Sequence, residues 1–181
     1  MVNPFKDCNA RKLYKILGYS SLVIVIVSAS YGIIASIIKG VEVVGQTFVD
    51  VEFPPIHVFP MFYMKPITWL TLSIITLVYC TLEMNKERIA NFPEFTISLV
   101  KVIAFVVGSL SIYEVLFNFT LWSGLIASGE VNPDLIINPF PNPEIPWNIV
   151  FATKIYFTMM VVSVYSFYFL NRLERRERNS S

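Results

Sequence analysis

Hydrophobic positions divide the chain into four long apolar stretches, residues 13–38, 66–82, 95–126 and 149–170, separated by segments rich in charge or proline. Each stretch is near the ~20 residues with which an α-helix crosses the hydrocarbon of a bilayer. In lipid every backbone N–H and C=O must find its partner within the structure, so isolated stretches of this length are expected as helices and not as strands. The pattern predicts an all-α integral membrane protein, an antiparallel bundle of four transmembrane helices. Outer loops cover about 39–65 and 127–148, and residues 1–181 form a single membrane domain.

The polar residues between the stretches set the direction. Lys6, Arg11, Lys12 and Lys15 precede the first, Lys86 and Arg88 lie between the second and third, and Arg172, Arg175, Arg176 and Arg178 follow the fourth. If crossings alternate, all of these share one side. The other side receives Glu42, Asp50, Glu52, Glu130, Asp134 and Glu144, with Lys39 and Lys65 only at helix boundaries. The positive-inside rule then places both termini in the cytoplasm of a multi-pass cell-membrane protein. The closing Arg-Leu-Glu-Arg-Arg-Glu-Arg run reads first as a topology anchor and second as a docking or anionic-lipid site, because its glutamates dilute the positive field.

Within the first outer loop the periodicity changes. Val49, Val51 and Phe53 alternate with Asp50 and Glu52, the pattern of a half-buried strand. Val41–Val44 followed by Gly45-Gln46 supplies a partner strand and a tight turn, so a β-hairpin is expected as part of a small outer cap. The second outer loop interleaves Pro133, Pro139, Pro141, Pro143 and Pro146 with Ile136, Ile137, Phe140 and Ile145. Proline forbids a continuing helix there, and the apolar residues between the prolines point to a loop lying on the membrane interface or on another protein. Phe62, Tyr63, Trp69, Trp122 and Trp147 mark the outer boundary as an aromatic belt would.

Composition agrees with this reading. Of 181 residues 55% are hydrophobic and the mean hydropathy is +0.60, more apolar than a soluble domain of this length needs. A net charge of +1 gives no reason to expect a nucleic-acid partner. The two cysteines, Cys8 and Cys80, fall on the cytoplasmic side, which argues against a disulfide framework. The first stretch is longer than a signal-peptide core and lacks a small-residue cleavage pattern, so it is expected as a retained helix.

Two features inside the stretches invite a chemical reading. Ser28, Gly32 and Ser36 recur every four residues on the first helix, with Ser21 and Ala35 widening the stripe, which marks a helix-packing seam. The seam serves either the monomer or a subunit interface. Glu114 stands deep in the third stretch, where a carboxyl group persists only when shielded, protonated or paired. Lys154 enters the fourth stretch at about the same depth, so a Glu114–Lys154 ion pair is expected. Asn118, Thr158, Tyr165 and Tyr168 extend it into a polar seam. Near the cytoplasmic end Lys101 is expected to pair with Glu83 or to reach the headgroups. The polar seam reads as a salt bridge locking two helices, as a proton or ion path, or as a ligand site or a contact with another subunit.

The chain carries no Gly-rich phosphate loop, nucleophile elbow, HExxH or Cys-x-x-Cys motif, and its one histidine, His57, cannot by itself make a haem or copper site. Neither a cofactor nor a metal is expected. Asn118-Phe119-Thr120 matches a glycosylation acceptor but sits inside an apolar stretch. The four-helix plan is shared by many unrelated functions and identifies none of them. The expected role is non-catalytic, an accessory or scaffolding subunit of a larger membrane complex. Its partners would be the lipid bilayer and other membrane subunits or copies of itself. The alternative is a small oligomeric ion- or proton-translocating protein using Glu114 and Lys154.

Overall fold

The computed structural model describes residues 4–40, 44–50, 65–130 and 147–178, and every regular element among them is helical. In chain order they are α1 (Pro4–Lys39), α2 (Val44–Asp50), α3 (Pro66–Met84), α4 (Lys86–Ala90), α5 (Glu94–Ala127) and α6 (Trp147–Arg178). Four of them, α1, α3, α5 and α6, are long and apolar enough to cross a membrane. The ends of α1 and α6 run well past the apolar stretches, through the flanking basic residues. Once a helix is nucleated, each further residue costs only its own ordering and gains a hydrogen bond, so charge alone does not stop it.

Local chemistry fixes the interior boundaries. Lys65 is extended ahead of Pro66, whose missing N–H falls where a helix has no acceptor for it. The α3 helix stops at Asn85, whose side-chain amide and backbone N–H both donate to the Thr81 carbonyl, at 2.8 and 3.1 Å. Pro93 is the N-cap residue of α5, the position Lys65 holds in α3, and its carbonyl accepts from Thr96 N–H at 2.9 Å. At the far end of α5, Gly129 adopts φ 77°, with Glu130 N–H on Leu125 O and Gly129 N–H on Ile126 O, both 3.1 Å. This Schellman closure needs a left-handed residue, which glycine supplies without a Cβ penalty.

The long helices pack in the order α1, α3, α6, α5, and no comparable contact joins α1 to α5 among the described residues. Side-chain neighbours give their directions. Lys101 meets Glu174, Phe105 meets Phe167 and Gly108 lies against Ser163, so α5 and α6 are antiparallel. Thr68 meets Lys154 while Glu83 meets Tyr165 and Arg172, so α3 and α6 run the same way. Tyr14 touches Tyr79 and Gly18 faces Cys80 near the end of α3, while Gly32 lies under Phe48 of α2, which packs with Ile67 at the start of α3; α1 therefore opposes α3. One end of the assembly thus gathers Arg11, Lys12, Lys15, Lys86, Arg88, Arg172 and Arg175, and the other gathers Trp69, Trp122 and Trp147.

Large apolar side chains are exposed along the long helices to an extent unusual in a water-soluble fold. Ser111 and Ser28 are 1% and 2% exposed, while Phe95 and Ile38 are 78% and 79% exposed. Small residues are buried where helices meet, and large apolar side chains point outward along α1 and α5. Outward hydroxyls are satisfied within their own helix: Ser109, Thr120 and Ser123 donate to the carbonyl four residues back at 2.8–2.9 Å.

The expected hairpin is not formed. Gly45-Gln46, read as a turn, and Val49-Asp50, read as strand, lie inside α2. A short helix satisfies its backbone locally, whereas a two-stranded hairpin needs a surface to pack on. The helical form buries Thr47, Phe48 and Val49 together, Phe48 and Val49 packing with Ile67 and against Trp147, Phe151 and Ile155. Val51, Phe53, the remainder of that loop with Phe62, Tyr63 and His57, and the proline-rich stretch 131–146 lie outside the described residues.

Candidate functional site

Two polar nodes lie along the α3–α6 contact. At the basic end, Glu83 of α3 is 8% exposed, and its Oε1 accepts from Tyr165 Oη at 2.9 Å and from Arg172 Nη2, both on α6. Aromatic rings insulate the node. Tyr79 contacts Tyr14 and Tyr165 at centroid distances of 5.8 and 4.8 Å, and the Arg172 guanidinium lies 5.4 Å from the Phe169 ring centroid. A carboxylate this buried is tolerable only with charge-assisted partners, and two donors converging on one oxygen supply them. Beside the node, Lys101 of α5 pairs with Glu174 of α6.

The second node sits at the opposite end. Lys154 of α6 donates to Thr68 Oγ1 on α3 at 2.5 Å. Thr71 Oγ1 donates to the Thr68 carbonyl at 3.0 Å, and Thr158 Oγ1 donates to the Lys154 carbonyl at 2.8 Å. Nearby, the buried Lys65 ammonium donates to the Val49 carbonyl in the last turn of α2, where the helix dipole favours a cation.

These partners differ from those expected. No ion pair joins Glu114 to Lys154; the lysine turns to α3, and Glu114 stays half-buried on α5 with no hydrogen bond or ion pair among the described residues. One turn further on, Asn118 is buried and its Nδ2 is likewise without a partner. Lys101 meets Glu174 and not Glu83, whose oxygen is taken by Arg172. Tyr165 belongs to the Glu83 node and not to a continuous seam with Lys154 and Thr158. Tyr168, expected on the same face, is exposed.

The seam of Ser28, Gly32 and Ser36 is buried within the chain. The Phe48 ring lies so close to Gly32 that a Cβ there would sit 2.3 Å from Cζ. A second small-residue stripe, Ala104, Gly108 and Ser111, is buried on α5, with Ser163 across from Gly108 on α6. Its spacing was visible in the sequence, as was the alignment of Glu83 with arginines at the same end. What identifies both is the order of the helices, which places α6 between α3 and α5.

Chemically, the Glu83 node can hold two helices in register, and Lys154 offers a cation bound to a neutral acceptor. Among the described residues no group of three or more His, Cys, Asp or Glu is placed to hold a metal ion. Comparison with family models, with curated proteins and with solved structures finds no match to this chain.

Proposed function

We propose that the chain is a four-span protein of the cell membrane, with its basic end and both termini in the cytoplasm, serving as a non-catalytic accessory or scaffolding subunit of a larger membrane complex. The exposed apolar faces of α1 and α5 suit a lipid environment, and the basic end suits the cytoplasmic side. The observation that carries the subunit reading is Glu114. A carboxyl group within a span persists only when shielded, protonated or paired, and no partner is supplied within the described chain. Among the described residues α6 is the one long helix packed closely on α5, which leaves room for a helix of another chain to supply the donor. The seam of Ser28, Gly32 and Ser36 is filled internally by Phe48 and the neighbouring helices, so α5 takes over as the contact surface.

Extraction in mild detergent, size separation and mass spectrometry test this. Co-migration with other membrane subunits, weakened by Glu114→Gln, is the expected result. Migration alone would overturn it.

A second reading, an oligomeric ion- or proton-translocating protein, draws on the same residues, because Lys154 rests on a neutral hydroxyl instead of being neutralised by a carboxylate. Flux in proteoliposomes that is abolished by Glu114→Gln in a folded protein would favour it over the subunit role.

A further inference from the structure

Between the start of α1 and the junction of α3 with α4 lies a pocket of about 250 Å³, lined by Ala10, Arg11, Tyr14, Glu83, Met84, Lys86 and Glu87. Its charges are not spent on one another. No ion pair among the described residues joins Arg11, Lys86 or Glu87, and Glu83 uses only Oε1, for Tyr165 and Arg172. With Glu83 and Arg172 offsetting each other, Arg11, Lys86 and Glu87 leave one net positive charge around a small cavity walled on its remaining sides by Tyr14 and Met84.

We propose that this pocket binds the headgroup of one anionic phospholipid bearing hydroxyl groups. The phosphodiester monoanion lies between Arg11 and Lys86 and balances the net charge, and the headgroup hydroxyls donate to Glu87 and the second oxygen of Glu83. The volume suits a headgroup and not a whole lipid, whose acyl chains then run along the exposed Leu13 and Leu17 of α1. The proposal rests on the membrane reading above, which puts this end of α1 and α3 at the level of the cytoplasmic headgroups.

The test is native mass spectrometry of the full chain released from nanodiscs holding equal phosphatidylglycerol, phosphatidylethanolamine and phosphatidylcholine. Phosphatidylglycerol should be retained over phosphatidylcholine by about tenfold, the ratio of a single charge-assisted contact of ~1.4 kcal/mol. The Arg11→Gln/Lys86→Gln variant should lose that preference, whereas Arg175→Gln, an exposed arginine at the same end, should keep it. Equal loss in both variants, or none in the first, overturns the site in favour of a diffuse charge effect. Soluble glycerophosphoglycerol that displaces the lipid at equal concentration overturns the lipid assignment. Release of the chain from membranes by alkaline carbonate would overturn the membrane reading separately, since the lipid comparison can still be made in detergent.

Discussion

Lys154 on α6 donates to Thr68 Oγ1 on α3 across 2.5 Å, while the carboxyl group of Glu114 on α5 goes without it. The two candidate partners therefore differ in what their removal does. Thr68→Val keeps the side-chain shape and strips the acceptor from a part-buried cation. It should lower the free energy of unfolding in detergent by roughly 1–3 kcal/mol, the cost of an unsatisfied charged donor. Glu114→Gln should leave the isolated chain within about 0.5 kcal/mol of wild type, as expected where no interaction is lost. The reverse ranking would show that the lysine belongs to Glu114.

The Glu83 node makes a different kind of prediction, because its two donors share one oxygen. Tyr165→Phe should cost about 1 kcal/mol and Arg172→Gln roughly 1.5–3 kcal/mol, the ranges for neutral and charged hydrogen bonds. In the Glu83→Gln background both should shrink, with coupling of about 0.5–3 kcal/mol in a double-mutant cycle. Strict additivity would mean that the three groups do not act as a unit.

Lys101 and Glu174 pair across α5 and α6 with side chains 15% and 31% exposed. Solvent screening at that exposure limits the pair to about 0.2–1 kcal/mol. Lys101→Glu should destabilise, Glu174→Lys should restore stability when combined with it, and the difference should fade in high salt. A rescue that is independent of salt would place the pair away from solvent.

The four long apolar helices were legible because hydropathy reports the length of an apolar stretch directly. Partners were not, because hydropathy does not give neighbour order. Glu114 and Lys154 stand at similar positions along their apolar stretches, yet the choice of Thr68 depends on α6 lying between α3 and α5 and on its rotation about its own axis. Lys101 illustrates the same gap: Glu83 and Glu174 lie at the same end, and α6, not α3, is the neighbour of α5. The first outer loop failed for another reason. Alternation of Val49 with Asp50 is a local signal, and the burial of Phe48 on Gly32 and of Val49 beside Ile67 is a tertiary one that outweighs it over a helix of seven residues.

Two glycines carry opposite predictions from the same substitution. At Gly32 an added Cβ would meet the Phe48 ring at 2.3 Å, so Gly32→Ala must displace a buried aromatic that anchors α2 between α1 and α3. Overpacking of this kind costs about 1–3 kcal/mol, more than the ~1 kcal/mol that alanine gains in helix propensity. At Gly108 the new Cβ would stand 3.4 Å from the Ser163 Cβ, an ordinary contact, so Gly108→Ala keeps most of that gain. Thermal unfolding in one detergent should therefore move down for Gly32→Ala and stay level or rise for Gly108→Ala. The larger Gly108→Leu should separate α5 from α6 and weaken the Lys101–Glu174 pair with it. Stability lost at Gly108→Ala as well would mean that α5 and α6 approach more closely than this packing, and that the small-residue stripe of Ala104, Gly108 and Ser111 is the tighter of the two seams.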